Sequence, residues 1–257
     1  MIEARIDRRW RFHLGDCGQA ESPTWDDSQW RLLDLPHDWS IELPRGADRP
    51  SADQGGFFTD GVGWYRKQIE VPPAWEGKRI SVEFGGVYRD AEVWLNGHHL
   101  GLHPYGYTSF ALDLTPFVRW DGRANLLAVR VDNSTHRHAR WYSGSGIYRH
   151  VRLLAADPVH IAPWGVAVTT ADISGDAATV QLRTWVDNES AAEAVVSVRW
   201  VMLDPQGSAA GWGSATATVR PGIGAVLETL IDIPNAALWS PESPALYRVE
   251  TELTVAG

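Results

Sequence analysis

Serine, histidine and acidic side chains are plentiful in this chain, but their spacing matches no familiar catalytic or metal-binding pattern. A nucleophilic serine on a sharp turn needs Gly-x-Ser-x-Gly, and Gly144-Ser145-Gly146 has the wrong spacing for it. No His-Glu-x-x-His or Cys-x-x-Cys arrangement fixes a metal geometry. We therefore predict that the clustered histidines are solvated loop residues, namely His98, His99, His103, His136, His138 and His150. Glycine loops of the phosphate-binding type are missing as well. We therefore predict no catalytic residue and no metal site within these 257 residues.

Four stretches combine aromatic, polar and glycine residues that a hydrophobic core does not require. They are residues 35–41 (LPHDWSI), 61–67 (GVGWYRK), 92–97 (EVWLNG) and 140–151 (RWYSGSGIYRHV). The chain has 14 tryptophans, which either fill β-sandwich cores or line a sugar site. For Trp64, Tyr65 and Trp94 the simpler interpretation is strand packing.

The fourth stretch places a charged aromatic run before a pair of glycines. Aromatic faces stack on the C–H faces of sugars, while charged side chains bind hydroxyl groups. Exposing Arg140, Trp141 and Tyr142 without a partner is unfavourable, so we predict that they contact a ligand or a neighbouring domain, with plain packing as the alternative. Gly144 and Gly146 permit positive φ at no steric cost, which suits either interpretation.

Charge and cysteine content limit the partners and the compartment. The 23 Lys and Arg against 32 Asp and Glu give a net charge of −9, which repels nucleic acids and anionic membranes. Cys17 is the single cysteine and cannot form an internal disulfide, and the N-terminus lacks the apolar segment of a signal peptide. No apolar run approaches the roughly 20 residues that span a bilayer. We therefore expect a cytoplasmic protein that binds neither nucleic acid nor membrane.

Short bursts of alternating apolar residues, typical of half-buried strands, run through the first part of the chain. They are Ile80, Val82 and Phe84; Ala91, Val93 and Leu95; Phe110, Leu112 and Leu114; and Leu127, Val129 and Val131. Asn96-Gly97, flanked by residues 93–95 and 98–100, is a strong hairpin signal, because both central residues of a type I′ turn need positive φ. No segment shows sustained helical spacing. The pattern predicts an all-β fold that begins with a jelly-roll β-sandwich over residues 1–156.

A second group of strands follows Asp157-Pro158 and Ala162-Pro163, which interrupt the pattern. Its apolar alternation is clearest at Val180, Leu182, Thr184 and Val186 and at Val196, Val198, Trp200 and Met202. About six or seven short strands without a cysteine pair predict an immunoglobulin-like β-sandwich over residues 157–257. Because the last strand runs directly into Gly257, we expect the chain to be a fragment.

Taken together, the motifs resemble the N-terminal part of glycoside hydrolase family 2, in particular its β-galactosidases. LPHDWSI, GVGWYRK, VWLNG, RWYSGSGIYR and, at residues 238–247, LWSPESPALY occur in the order and approximate spacing typical of that family. The resemblance covers nearly the whole chain. It implies a jelly-roll sugar-binding domain, then an immunoglobulin-like domain, then a catalytic (β/α)₈ barrel.

The barrel is where this chain departs from the family. Family members are retaining hydrolases whose acid/base and nucleophile are two glutamates at the C-terminal ends of barrel strands. No alternation of strands and helices appears in these 257 residues, so we expect the catalytic TIM barrel to be absent. The resemblance implies hydrolysis of terminal β-D-galactosyl residues by a full-length parent, and an inactive chain on its own. It implies no cofactor in this chain and leaves open a metal ion bound by the missing barrel.

The resemblance also suggests which residues meet the substrate. In family members the loop that matches residues 140–148 reaches toward the barrel and helps to wall the pocket of the terminal sugar. Arg140, Trp141 and Tyr142 are therefore candidate substrate-binding residues, and so is Asp38. A helix cap or a turn is the alternative role for Asp38. The implied partners are a β-galactoside and the missing barrel, with a homo-oligomer left open.

Two other functional hypotheses also fit the sequence. The aromatic excess also fits a free-standing carbohydrate-binding module, and a purely structural or oligomerisation sandwich is the third reading. Relatives with the same front domains act on β-mannosides and β-glucuronides. The Arg-Trp-Tyr form of the loop favours galactosides by resemblance only.

Overall fold

The computed structural model describes residues 1–49, 52–134 and 142–256. Arg140 and Trp141 lie outside the described residues, whereas Asp38 and Tyr142 lie within them. The chain divides into two compact units, Met1–Ala156 and Asp157–Gly257, and each is described by itself.

The first unit is an antiparallel β-sandwich. Its strands in the described residues are β1 (Ile2–Arg5), β2 (Trp10–Leu14), β3 (Arg31–Leu33), β4 (Val62–Ile69), β5 (Arg79–Phe84), β6 (Ala91–Leu95), β7 (His98–His103), β8 (Phe110–Asp113), β9 (Asn125–Asp132) and β10 (Val151–Ala156). They form a four-stranded sheet in the order β1-β10-β5-β8 and a six-stranded sheet in the order β3-β2-β4-β9-β6-β7. This is the predicted jelly-roll sandwich.

One apolar core lies between the two sheets. The predicted alternation is seen in β5, where Ile80, Val82 and Phe84 are buried and their neighbours are not. Val129 and Val131 of β9 belong to the same core cluster. Burying one face of each strand removes apolar surface from water, which is the main favourable contribution to folding such a unit.

The predicted hairpin connects β6 and β7. Asn96 has φ 54° and Gly97 has φ 86°, so both central residues are left-handed, as a type I′ turn requires. The buried Asn96 amide also connects loops: its Nδ2 donates to the carbonyl of Phe117 at 2.8 Å and to Asn125 Oδ1 at 2.8 Å. Its Oδ1 accepts from the backbone N–H of Leu126 at 2.9 Å. Asn96 is therefore a turn residue and a polar anchor at once.

The second unit is a smaller sandwich. Its strands in the described residues are β11 (Val159–Ser174), β12 (Ala177–Asn188), β13 (Ala194–Leu203), β14 (Ala209–Val219), β15 (Ala225–Ile233) and β16 (Arg248–Val255). They form two three-stranded sheets, β11-β12-β15 and β14-β13-β16. Trp200 is fully buried between them, and its indole N–H donates to Thr184 Oγ1 at 2.8 Å. This is the predicted immunoglobulin-like sandwich.

Helical structure in the described ranges is confined to short 3₁₀ turns. They are Trp39–Glu42, Ala52–Gly55, Pro73–Trp75 and Thr115–Phe117. No α-helix occurs there, in agreement with the missing helical periodicity. None of these turns is long and apolar enough to cross a membrane.

The Asn96 anchor can be tested by Asn96→Gly, which keeps the left-handed turn and removes only the side chain. Three hydrogen bonds within a mostly buried region are lost, so we expect the free energy of unfolding of the first unit to fall by about 2–3 kcal/mol in urea titrations. Asn235→Gly, followed by the unfolding of the second unit, is the matched control, because Asn235 has φ 51° and an exposed side chain. Equal losses in both variants would mean that the amide contributes nothing beyond the turn.

Candidate functional site

Asp38 lies where the chain enters the 3₁₀ turn Trp39–Glu42. The residue caps this turn, and its Oδ1 accepts from the backbone N–H of Ser40 at 3.0 Å. The same oxygen accepts from the backbone N–H of Ser145 at 3.0 Å, from a loop 107 residues further along the chain. The alternative role of Asp38 as a cap is thus confirmed, and the carboxylate also connects the first and fourth motif stretches.

Tyr142 binds the second oxygen of this carboxylate. Its hydroxyl donates to Asp38 Oδ2, and its ring packs against the Phe58 ring with a centroid distance of 4.2 Å. Burial, reinforced by the hydrogen bond to Asp38, raises the pKa of the Tyr142 hydroxyl well above its usual value. Tyr142 is therefore a neutral donor at physiological pH. The Tyr142 side chain is half-buried and its hydroxyl is bound to Asp38, so it does not project freely into solvent.

The glycines of the fourth stretch are required by close approach as well as by conformation. Gly144 has φ 81° and Gly146 has φ 115°, both in the left-handed region. A Cβ at Gly146 would lie 2.2 Å from the Tyr65 hydroxyl, and a Cβ at Gly144 would lie 3.1 Å from Asp38 Oδ2. Any side chain at position 146 would push the loop off the polar groups beneath it.

Beneath the loop, a buried hydrogen-bond chain runs outward from Tyr65. The Tyr65 hydroxyl lies 2.7 Å from His37 Nδ1, and His37 Nε2 lies 3.4 Å from Glu42 Oε2. Glu42 in turn binds Arg31, with 2.7 Å between Nη2 and Oε1. Because a carboxylate only accepts, Nε2 must carry the imidazole proton, and Nδ1 then accepts from Tyr65. The Tyr65 hydroxyl lies directly beneath Gly146, where a Cβ would stand 2.2 Å from it, so this hydrogen-bond chain reaches the fourth stretch.

The charges along this hydrogen-bond chain follow from burial and from ion pairing. Burial lowers the pKa of His37, and the nearby Glu42 opposes this only in part, so the imidazole is neutral. The bond to Arg31 holds the pKa of Glu42 below its usual value. Desolvation raises the pKa of the fully buried Tyr65, which remains a neutral hydroxyl. The hydrogen-bond chain therefore ends at the surface in the Arg31–Glu42 ion pair, and its buried members, Tyr65 and His37, are neutral.

A cluster of hydroxyl and amide groups supports the other side of the loop. The Ser40 hydroxyl shares its proton between the Thr59 carbonyl at 2.5 Å and Ser145 Oγ at 2.7 Å. Asn133 Nδ2 donates to Ser145 Oγ at 2.7 Å and to the Gly144 carbonyl at 3.1 Å. These polar groups were not singled out from the sequence. Ser40 lies inside the first stretch, but nothing in the pattern around Asn133 distinguishes it.

The packing interpretation holds for the tryptophan and tyrosine of β4. Trp64 and Tyr65 are buried, and Trp64 stacks on Trp94 with a centroid distance of 5.4 Å. The Trp64 indole N–H donates to Asp16 Oδ1 at 3.0 Å. Tyr65 adds to its packing role the hydrogen-bond chain described above.

Chemically, the described part of this site can accept hydrogen bonds and offer aromatic surface. Among the residues that the structure describes, no three His, Cys, Asp or Glu side chains are grouped so that they could hold a metal ion. Asp38 and Tyr142, two of the four candidate substrate-binding residues, are brought into direct contact. Arg140 and Trp141 remain predictions, because they lie outside the described ranges.

Comparison with protein families agrees with this division into two units. The model of the glycosyl hydrolases family 2 sugar-binding domain matches residues 4–157, and the model of glycosyl hydrolases family 2 matches residues 159–257. The chain belongs to glycosyl hydrolase family 2. The family resemblance drawn from the motifs is thereby confirmed.

Family 2 relatives that resemble this chain are considerably longer than it is. It is 43% identical to the β-galactosidase BoGH2A of Bacteroides ovatus over 95% of this chain and 29% of that protein. It is 34% identical to a putative β-glucuronidase of Formosa agariphila, over 98% of this chain and 23% of that protein. The crystal structure of a family 2 member from Bacteroides cellulosilyticus superposes with a TM-score of 0.91 at 38% identity, over 99% of this chain and 33% of that one. The chain thus spans about a quarter to a third of the length of these relatives.

The neutral state of His37 predicts how the stability of this family 2 unit depends on pH. Because burial lowers the pKa of His37 in the folded state, the unfolded chain takes up this proton first as the pH falls below about 6.5. The stability that His37 contributes is therefore present above about pH 6.5 and lost as the pH falls.

This dependence can be measured by urea unfolding of the first unit at a series of pH values from 7.5 to about 5. His37→Gln should reduce the slope of unfolding free energy against pH. Burial also lowers the pKa of His103, so part of the slope should remain. His160→Gln, in the second unit, is the control and should leave the slope unchanged. An unaltered slope in His37→Gln would contradict the assigned neutral imidazole.

Proposed function

We propose that this chain is the non-catalytic N-terminal portion of a retaining glycoside hydrolase that removes terminal β-D-galactosyl residues. In this proposal the loop around residues 140–148 helps to wall the sugar pocket, and a following barrel supplies the catalytic glutamates. The observation that carries the proposal is the contact between Asp38 and Tyr142, which unites two motif stretches of family 2 at one point of the surface.

The hydrogen-bond capacity of Asp38 specifies what it can offer a sugar. A carboxylate has about four acceptor positions. Oδ1 is occupied by the N–H groups of Ser40 and Ser145, and Oδ2 receives the Tyr142 hydroxyl. About one position therefore remains on Oδ2, enough for a single sugar hydroxyl. The Tyr142 ring beside it supplies apolar surface for a sugar C–H face.

Charge supports a neutral sugar over a uronic acid. A uronate carboxylate beside Asp38 would meet a like charge, and in a partly desolvated site this repulsion costs more than it does in water. The relative with 43% identity is named a β-galactosidase, while β-glucuronidases are found among relatives of 34% identity and below. We therefore propose a galactoside as the substrate of the full-length protein.

The wall role of Asp38 can be tested in the full-length protein with Asp38→Asn. The amide keeps Oδ1 for the two backbone N–H groups but replaces the charged Oδ2 by a donor. A hydrogen bond to a charged group contributes about 1.5–3 kcal/mol, so kcat/KM on an aryl β-galactoside should fall roughly 10- to 150-fold. Asp26→Asn, a change in an exposed loop, is the matched control and should have no effect. Wild-type kcat/KM in Asp38→Asn would refute the wall role.

The free-standing binding module is the second candidate, and the tryptophans that remain exposed, Trp164, Trp212 and Trp239, favour it. Calorimetry of this chain with galactose and lactose separates the two proposals. If a barrel supplies the rest of the pocket, the isolated chain should bind neither sugar measurably, because one wall alone immobilises a ligand poorly. A clear isotherm at millimolar affinity or tighter would instead support the module.

A further inference from the structure

A small cavity lies behind Tyr142, between the loop at residues 143–145 and the end of β9. Its lining includes Phe58, Thr59, Asp60, Asn133 and Tyr142. The volume is about 10 Å³, close to the least that holds one water molecule. Polar residues, Thr59, Asp60 and Asn133 among them, form part of its wall, in contrast to the wholly apolar cavities that remain dry.

Asn133, which lines this cavity, has an unused hydrogen-bond acceptor. The side chain is 1% exposed, and its Nδ2 uses both protons, on the Gly144 carbonyl and on Ser145 Oγ. Because a carbonyl can only accept, the contact with Gly144 fixes the orientation of the amide and rules out a flip. Oδ1 then has no hydrogen-bond partner among the described residues. A buried amide oxygen without a donor is unfavourable, and native structures rarely leave one so.

Thr59 contributes a second unused group to the same cavity. Its Oγ1 is buried and has no hydrogen-bond partner in the described part of the chain. Its backbone carbonyl is already occupied by Ser40 Oγ. A hydroxyl can donate and accept, whereas Asn133 Oδ1 can only accept, so these two atoms complement a molecule that has both protons and lone pairs.

We propose that one ordered water molecule occupies this cavity and joins Asn133 Oδ1 to Thr59 Oγ1. The water donates one proton to Asn133 Oδ1 and the other to the Asp60 carboxylate, and it accepts a hydrogen bond from the Thr59 hydroxyl. It thereby fixes the segment before β4 to the end of β9 and to the loop that carries Tyr142. This site is independent of the identity of the substrate.

Thr59→Val tests the proposal by the sign of its effect. Valine has the shape of threonine but no hydroxyl. If the cavity were empty, replacing an unpartnered buried hydroxyl would leave the stability unchanged or raise it. With the water in place, the substitution removes a partner, so the unfolding midpoint of the first unit should fall by about 2–4 °C. Thr59→Ser keeps the hydroxyl and should keep most of the midpoint.

A crystal structure of the same chain provides the direct observation. A water should lie roughly 2.6–3.2 Å from both Asn133 Oδ1 and Thr59 Oγ1, and it should be missing in Thr59→Val. Three results would overturn the proposal: an unchanged or higher midpoint in Thr59→Val, an empty cavity, or an ion held by several oxygens at about 2.3–2.5 Å, as a hard cation is.

Discussion

The organisation of this site depends on the Asp38 carboxylate, which receives three donors from two distant parts of the chain. Oδ1 holds the turn after Asp38 and the backbone of Ser145, and Oδ2 holds the Tyr142 hydroxyl. Hydrogen bonds to a charged acceptor are stronger than those between neutral groups, and partial burial protects them from water. The need for glycine at position 144 follows, because Oδ2 lies 3.1 Å from where a Cβ would stand.

The tryptophans show why composition alone does not separate a sugar-binding surface from a packed sandwich. Trp10, Trp39 and Trp200 are among the largest fully buried side chains, and Trp64 is covered by Trp94. Much of the aromatic excess is therefore used for packing within the described residues. The proposed binding role depends on a few groups around Tyr142, and so small a set does not stand out in the composition.

The periodicity of the sequence predicts the strands and the turns, which are local features, but it does not predict single contacts between distant residues. The alternation in β5 and the Asn96-Gly97 turn were read correctly, because neighbouring residues alone decide them. The bond between Tyr142 and Asp38 spans 104 residues, and no spacing rule encodes such a contact. The buried amide of Asn133 gave no signal for the same reason. From the sequence, capping is only one of two possible roles for Asp38. In the structure one oxygen, Oδ1, both caps the turn through Ser40 and holds the distant loop through Ser145.

The pairing of β1 with β10 in the four-stranded sheet connects sequence order to the timing of assembly. β1, at the very start of the chain, pairs with β10, which ends at Ala156, so Ile2 lies opposite Ala155. A ribosome must therefore release nearly the whole first unit before this edge can close. Closing so long a loop is entropically costly and slow compared with forming a hairpin. Until then the apolar face that β10 will cover is open to chaperones and to other nascent chains, and the loop just before β10 has no fixed frame.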